Sequence, residues 1–380
     1  MKFVYYWSPF ISKVATIRSV INSAESLKKY SKNDFEPIIL NVAGEWNFFK
    51  KKMNIHNIKI IDLTTSKILD EKNWTGFIKS RLIYFYVFIR CFLPTLRFLI
   101  KKKPDFLIIH LITSLPLIIN YFFDIKTNII LRISGMPKLN FIREVLWRKM
   151  SKKLFLITSP SVGTFNDLSK KTYFKDKLKI LYDPVINPSE ILKKKNEPCD
   201  LEKDYFISIG RFTKQKNFEF LISSLDKINL KGKNFKLLIF GEGEFKDRLN
   251  KLILKFNLQN NVKIFPFQKN IYKYLVNSKG LILTSLWEDP GFVIIEAAYL
   301  NVPIFSSNCK NGPEEILGYG SNGVLYKNKD KNSFIEKFNY FLNLNEKNLK
   351  NFKINSKKKV RQFTSFRHHN QLINILNTNV

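Results

Sequence analysis

Along the first half of the chain, short continuous apolar runs alternate with longer stretches whose apolar positions recur every third or fourth residue. The runs "KFVYYW", "FEPIILNV", "IKIIDL", "DFLIIH", "NIILRIS" and "LFLITSP" are rich in β-branched and aromatic residues and predict strands. Between them, Ala15 to Tyr30, Ile78 to Ile100 (with Pro94 inside), a segment near Leu115 and Phe141 to Met150 carry the helical period. Strands alternating with helices imply a parallel sheet covered on both faces, so this half reads as a doubly wound domain.

The periodicity breaks at "LYDPVINPSEILKKKNEPCDLEKD", where prolines 184, 188 and 198 and a charge run suggest a linker. A second doubly wound pattern follows, with strands "YFISIG", "FKLLIFG", "VKIFPF", "GLILTS" and "VPIFSS", and then a helical tail after Asp330. The expected division is residues 1–185, residues 186–360, and a C-terminal helix over 361–380 that packs back on the first domain. Two parallel-sheet domains facing each other across a cleft would bind ligand beyond the carboxyl ends of their strands, which directs attention to residues just after strands.

The chain has 380 residues, 45% hydrophobic and 14% aromatic, enough apolar surface for two folded domains. Its 64 Lys and Arg against 31 Asp and Glu give a formal charge of +33, which fits a polyanion or an anionic membrane surface as partner. Codon bias explains the surplus equally well, because Lys comes with abundant Asn, Ile, Phe and Tyr. The runs at Lys50–Lys52, Lys101–Lys103, Lys193–Lys195 and Lys357–Lys359 read first as solvated helix ends. Cys91, Cys199 and Cys309 suit neither a disulfide framework nor a zinc site, and with an N-terminus that reads as a strand rather than an export signal they point to the cytoplasm.

Phe106 to Phe123, "FLIIHLITSLPLIINYFF", carries no charge and has the length of a candidate membrane span. His110, Pro116 and Asn120 interrupt it, which favours a buried strand, a turn, a short helix and a second strand. The helix "FIKSRLIYFYVFIRCFLPTLRFLIKKK" combines aromatics with cations, as membrane-surface helices do, with core packing as the alternative.

Two stretches carry candidate chemistry. In "SIGRFTKQKNFEFLI", Arg211 and Lys216 lie in a loop opening a helix, where they and the helix amides could hold a diphosphate, although cations in such loops are often merely solvated. In "SLWEDPGFVIIEAAYL", Gly291 leaves the first amides of a helix unobstructed, Glu288 lies just outside its start and Glu296 a little over one turn within. Two carboxylates there would bracket an anion rather than bind it, and acceptor-only groups suit paired hydroxyls. A nucleotide-sugar has that layout of ribose, diphosphate and hexose. The plainer reading makes Glu288 a helix cap and Glu296 a surface residue, but Glu296 is the one charge on an apolar helix and needs a hydroxyl or cationic partner if buried.

With "GRFTKQKN", "GEGEFKDRL", the Glu288 and Glu296 pair and "NCKNGPEEIL" in this order, the chain resembles the family 4 glycosyltransferases of the GT-B fold over about Tyr205 to Tyr326. "GEGEFKDRL" by itself reads as a plain turn. The first half is similar in architecture alone, and "WSPFISKVA" replaces the glycine-rich first loop frequent in the family. The resemblance implies that Arg211 and Lys216 hold the donor diphosphate, Glu288 the transferred sugar and Glu296 the ribose, while amides of Gly291, Phe292 and Val293 line the phosphate and sugar. It further implies His110 as an active-site histidine contacting a sugar hydroxyl, Ser12 and Lys13 near acceptor or phosphate, and Arg132, Ser134 and Gly135 as weaker candidates.

The implied activity is retaining transfer of a hexose or N-acetylhexosamine from a nucleotide-sugar, with UDP expected, to a glycan or lipid-linked acceptor in surface polysaccharide or lipopolysaccharide assembly. A peripheral place on the inner face of the cytoplasmic membrane and contact with anionic lipid belong to the same expectation, and no nucleic acid is expected. No Asp-x-Asp occurs, so no metal and no cofactor are expected. The alternatives are a polyanion- or membrane-binding protein without catalysis and a GT-B nucleotide-sugar epimerase.

Overall fold

The computed structural model describes residues 1–12, 14–70, 77–135, 141–228 and 235–378. The chain divides into two compact units, Met1–Val185 with Ser365–Val380, and Ile186–Thr364.

The first unit runs β1 (Lys2–Trp7), α1 (Ala15–Tyr30), β2 (Phe35–Asn41), α2 (Lys50–Ile55), β3 (Lys59–Asp62), α3 (Phe77–Lys102), β4 (Phe106–Ile109), α4 (Ser114–Phe122), β5 (Asn128–Arg132), α5 (Phe141–Met150), β6 (Leu156–Ser159), α6 (Val162–Ser169) and β7 (Leu178–Ile180). Its seven strands are ordered β3-β2-β1-β4-β5-β6-β7, all parallel. The apolar runs become strands because both faces are covered: every residue of β2, β4 and β6 is buried. Phe106 to Phe123 resolves into β4, a loop and α4 within this unit, as the interruptions in its sequence suggested.

The second unit runs α7 (Pro188–Lys195), β8 (Phe206–Ile209), α8 (Phe218–Leu225), β9 (Leu237–Phe240), α9 (Lys246–Lys255), β10 (Val262–Phe265), α10 (Tyr272–Val276), β11 (Gly280–Leu283), α11 (Phe292–Tyr299), β12 (Ile304–Ser307), α12 (Pro313–Ile316), β13 (Val324–Tyr326), α13 (Lys331–Leu342) and α14 (Glu346–Val360). Six parallel strands are ordered β10-β9-β8-β11-β12-β13. An aromatic layer of Phe206, Phe305, Phe334, Phe338 and Phe341 packs beneath the sheet, with ring centroids 5.2 to 6.4 Å apart in the pairs Phe305–Phe338, Phe206–Phe338 and Phe338–Phe341.

Three features depart from the sequence expectation. The stretch read as a linker contains α7, started by Asn187, whose side chain accepts from the Glu190 amide, and packed against α10. The edge strands β7 and β13 have three residues each and no long apolar run to announce them. The helical tail is three helices, and the last, α15 (Ser365–Leu376), packs on α1, with Leu372, Ile375 and Leu376 in the first unit's core beside Val20 and Ala24. Three of the lysine runs close the last turns of α3, α7 and α14, where cations face the negative end of the helix dipole.

Polar contacts fix α15 in place. His368 Nε2 lies 2.8 Å from Ser23 Oγ and its Nδ1 2.6 Å from the Tyr182 carbonyl, while the Tyr182 amide donates to Gln371 Oε1 at 3.1 Å. Leu372→Ala is therefore expected to lower unfolding stability by about 3 kcal/mol, the usual cost of emptying a fully buried leucine site. Urea denaturation measures it, and an unchanged midpoint would contradict the packing of α15.

Candidate functional site

Two loops at the carboxyl edge of the second sheet meet. The first leaves β8 as Gly210–Asn217 and opens α8; the second leaves β11 as Thr284–Gly291 and opens α11. Backbone and side-chain bonds stitch them together: the Leu286 amide donates to the Gln215 carbonyl at 2.8 Å, Gln215 Nε2 to the Trp287 carbonyl at 2.9 Å, and Thr284 Oγ1 to the Lys216 carbonyl at 3.0 Å.

Glycines permit the approach. A Cβ on Gly241 would stand 1.9 Å from the Gly210 carbonyl oxygen, and one on Gly243 2.6 Å from that of Phe212. The "GEGEF" glycines thus hold the exit of β8 from below, a role that reading them as a plain turn missed. Gly210 in turn lies under Lys216, whose Cγ would be 2.9 Å from an added Cβ. The lysine crosses the loop and its Nζ donates to Glu288 Oε1 at 2.5 Å.

Glu288 is buried, and Ser285 Oγ also donates to its Oε1, at 2.6 Å. Both contacts fall on one oxygen. Oε2 faces the start of α11, 3.3 Å from where a Gly291 Cβ would be. Gly291, at φ +90°, is the N-cap and supplies no side chain, so the helix start is not capped from that residue. The peptide bond Asp289–Pro290 is cis, and Gly312 presses against the Pro290 carbonyl, where a Cβ would come within 2.0 Å. This explains the glycine of "NCKNGPEEIL": the segment forms a wall behind the Glu288 loop.

Glu296 lies inside α11 and is 3% exposed. Its expected hydroxyl partner is Tyr272 of α10, whose phenol donates to Oε1 at 2.9 Å. Sequence reasoning named neither Tyr272 nor Ser285, because nothing in "NIYKYL" or "LTSL" marks them as partners of a residue on another element. Arg211 is exposed, with no salt-bridge partner among the described residues. Arg211, Lys216, Glu288, Gly291, Phe292, Val293 and Glu296 therefore share two adjoining loops and one helix. The pairing of Lys216 with Glu288 was not foreseen. Burial, with the nearby Glu288 carboxylate, pushes the Cys309 thiol up to about 12, leaving it protonated.

In the first unit, His110 follows β4 and its amide donates to the Trp7 carbonyl at 2.9 Å. The ring is buried, stacks on Tyr6 at 6.3 Å between centroids, and neither nitrogen has a hydrogen-bond partner among the described residues. It lines a pocket of about 550 Å³ with Ile112, Thr113, Leu117 and Trp147. Ser12 is half-buried in the loop after β1, and Ser134 and Gly135 follow β5; Lys13 lies outside the described residues.

Arg132 is a correction. It is 2% exposed, and its guanidinium donates to the Leu181 carbonyl and, at 2.8 Å, to Asp183 Oδ1, which also accepts from Ser19. Its charge is spent on the Leu181–Asp183 segment and is not presented to a ligand. A second cavity, about 600 Å³ in the second unit, is lined by Phe206, Lys279 and Pro303 at the amino ends of β8, β11 and β12, the edge away from the two loops. Among the described residues no group of three or more His, Cys, Asp and Glu side chains is placed to hold a metal ion.

A family model described as "Glycosyl transferases group 1" matches residues 189–359. An uncharacterized glycosyltransferase of Methanocaldococcus jannaschii is 34% identical over 287 residues, 66% of this chain and 70% of that protein. The N-acetylgalactosamine-N,N'-diacetylbacillosaminyl-diphospho-undecaprenol 4-alpha-N-acetylgalactosaminyltransferase of Campylobacter jejuni is 29% identical over 223 residues, covering 56% of this chain and 60% of that protein. Among solved structures, a Rickettsia africae glycosyltransferase superposes with TM-score 0.75 at 18% identity, over 99% of this chain and 97% of that one. Anabaena HepE in complex with UDP and glucose superposes with TM-score 0.73 at 13% identity, over 98% and 99%. At such identities the superpositions speak for the fold alone.

Burial disfavours the charged form of a base, and for His110 desolvation, reinforced by the Arg132 charge, lowers the ring to about 3. As pH falls through the ordinary histidine range near 6.5, the ring should stay neutral. The imidazole NMR shifts of His110 are expected not to move between about pH 8 and 5. A midpoint near 6.5 would show that the ring is solvated.

Proposed function

Because the chain belongs to the group 1 glycosyl transferases and has the GT-B fold, we propose that it moves a hexose or N-acetylhexosamine from a UDP-sugar, with retention at the anomeric carbon, to a glycan or lipid-linked acceptor. One observation carries this reading: two buried carboxylates flank the start of α11, Glu288 held on one oxygen by Lys216 and Ser285 and Glu296 bonded by Tyr272, with Arg211 exposed alongside. Glu288 Oε2 is the acceptor offered to hydroxyls of the transferred sugar, and Glu296 that offered to the ribose. The diphosphate lies toward the helix start, Arg211 and Lys216.

As the bond to the anomeric carbon breaks, negative charge builds on the departing diphosphate. A fixed arginine, a lysine and the positive end of a helix stabilise that charge more than the ground state, and so lower the barrier. Lys216 meets the phosphate while tied to Glu288, which couples sugar position to phosphate position through one ion pair. His110, neutral near physiological pH, takes part as a hydrogen-bonding group and not as a proton carrier. The first unit's pocket beside His110 supports an acceptor place there.

The named relatives support the surface-glycan setting: one acts on a diphospho-undecaprenol-linked sugar by its name, and a Staphylococcus aureus relative is a poly(ribitol-phosphate) alpha-N-acetylglucosaminyltransferase. Transfer without a metal, at the inner face of the cytoplasmic membrane, completes the reading; the lack of any Asp-x-Asp sequence supports the first part.

The test is a thermal-shift screen of UDP-, GDP- and ADP-sugars, in which UDP-sugars are expected to raise the melting point at millimolar concentration. No shift with any of them would sink the reading. With the donor found, Arg211→Ala is expected to reduce kcat about 100-fold by removing a transition-state contact. Glu296→Ala is expected to raise KM for the donor with a smaller effect on kcat, since a ribose contact is present before and during transfer.

A further inference from the structure

Helix α3 has two apolar faces. Ile83, Val87, Cys91, Thr95 and Leu99 form one buried stripe at every fourth position, and all but the threonine join the core of the first unit. Thr95 Oγ1 turns back to the Cys91 carbonyl at 2.6 Å and Cys91 Sγ lies 3.8 Å from the Val42 carbonyl, so this side is seated in the domain. Leu82, Phe85, Tyr86, Ile89, Leu93 and Ile100 form the other stripe, and all are exposed. At about 100° per residue its centre is about 180° around the helix from the buried one. Phe85 is 65% exposed, Ile89 60% and Leu93 57%, unusual for large apolar side chains on consecutive turns.

Charge indicates what covers this face. From Phe77 to Lys102 the sequence has no Asp or Glu, and Lys79, Arg90 and Arg97 fall together about 70° to one side of the exposed stripe. All three are exposed and form no salt bridge among the described residues. A second copy of the chain laid stripe on stripe would bring these cations together with no acid on α3 to pair them. An anionic lipid surface takes both parts: the apolar stripe enters the interface while the cations meet headgroups. The helix has the length and apolar composition to cross a bilayer, Lys79–Lys102, but crossing would strip its buried stripe from the core.

We propose that the outer face of α3 seats the first unit on an anionic bilayer, with the helix lying in the plane of the interface. This deepens the reading above, on which its biological purpose rests, and its test uses neither donor nor acceptor, so the two can fail separately.

The test is co-sedimentation of the full chain with vesicles of phosphatidylcholine, with and without phosphatidylglycerol. The chain is expected to partition onto the anionic vesicles. Phe85→Ser, Ile89→Ser and Leu93→Ser combined should cut that partitioning more than about tenfold. Arg90→Gln with Arg97→Gln should weaken it about tenfold at low salt and little at high salt. Since every substituted residue is exposed, the melting point and its shift by a UDP-sugar should stay as in the unaltered chain. If the apolar triple variant proves unstable, the arginine pair still decides. Equal partitioning of all variants would overturn the proposal. So would resistance to alkaline carbonate extraction, which marks a span, or a lipid-free dimer that the triple variant converts to monomer, which marks a second copy as the occupant.

Discussion

The exits of β8 and β9 pass closer than any side chain allows, with the Gly210 carbonyl occupying the space a Gly241 Cβ would need. The first loop of the candidate site in the second unit leaves β8 at that contact. The contact fixes the height of the Gly210–Asn217 loop, and because Gly210 also has no side chain, Lys216 can lie across it and reach Glu288. Glu288 then stands against Gly291, and Pro290 against Gly312. Four glycines act where backbone meets backbone or side chain, so the geometry is set by excluded volume before any charge is counted.

Charge then selects among the few acids of a basic chain. Burying a carboxylate costs several kcal/mol unless donors offset the lost water. Glu288 has a lysine and a serine, both on one oxygen, and Glu296 has a tyrosine phenol. The two contacts on Glu288 share Oε1, and Oε2 stands beside Gly291 at the start of α11. A helix start whose N-cap, Gly291, has no side chain lies beside them. Lysine runs at the ends of α3, α7 and α14 need no such account, because solvent and helix dipoles suffice. The two buried acids are thus more informative than the surplus of cations that dominates the composition.

The fold was legible where pattern and environment agree. Runs such as "FLII" and "GLIL" are buried on both faces, and a parallel sheet covered by helices is the arrangement that requires this. The loops bearing Arg211, Lys216 and Glu288 were legible because strand, glycine and helix start follow one another locally. Contacts between elements distant in sequence were not. Tyr272 reaches Glu296 across 24 positions and Lys216 reaches Glu288 across 72, and no local pattern records either. The α7 segment was mistaken for a linker because prolines were read as breaks, although Pro188 stands at a helix start. Three-residue edge strands gain few apolar contacts and so leave little trace.

Arg132 and His110 show why a position at a strand end does not decide a role. Arg132 ends β5 and His110 follows the neighbouring β4, and both are buried. Beside Arg132 the chain returns after β7 and offers the Leu181 carbonyl and the Asp183 carboxylate, which satisfy a guanidinium, so its charge is consumed in holding that segment. Beside His110 the structure offers a tyrosine ring and a pocket, but no acceptor or donor at either nitrogen among the described residues. A buried polar atom left so carries a desolvation cost that a ligand could remove. Kept neutral by burial and by the Arg132 charge, the ring presents one N–H and one lone pair. That pair matches a hydroxyl, which can both accept and donate, better than a phosphate, which only accepts when ionised. Burial is the larger cause of that neutrality; the Arg132 charge adds to it, and Asp183, paired with Arg132, opposes it.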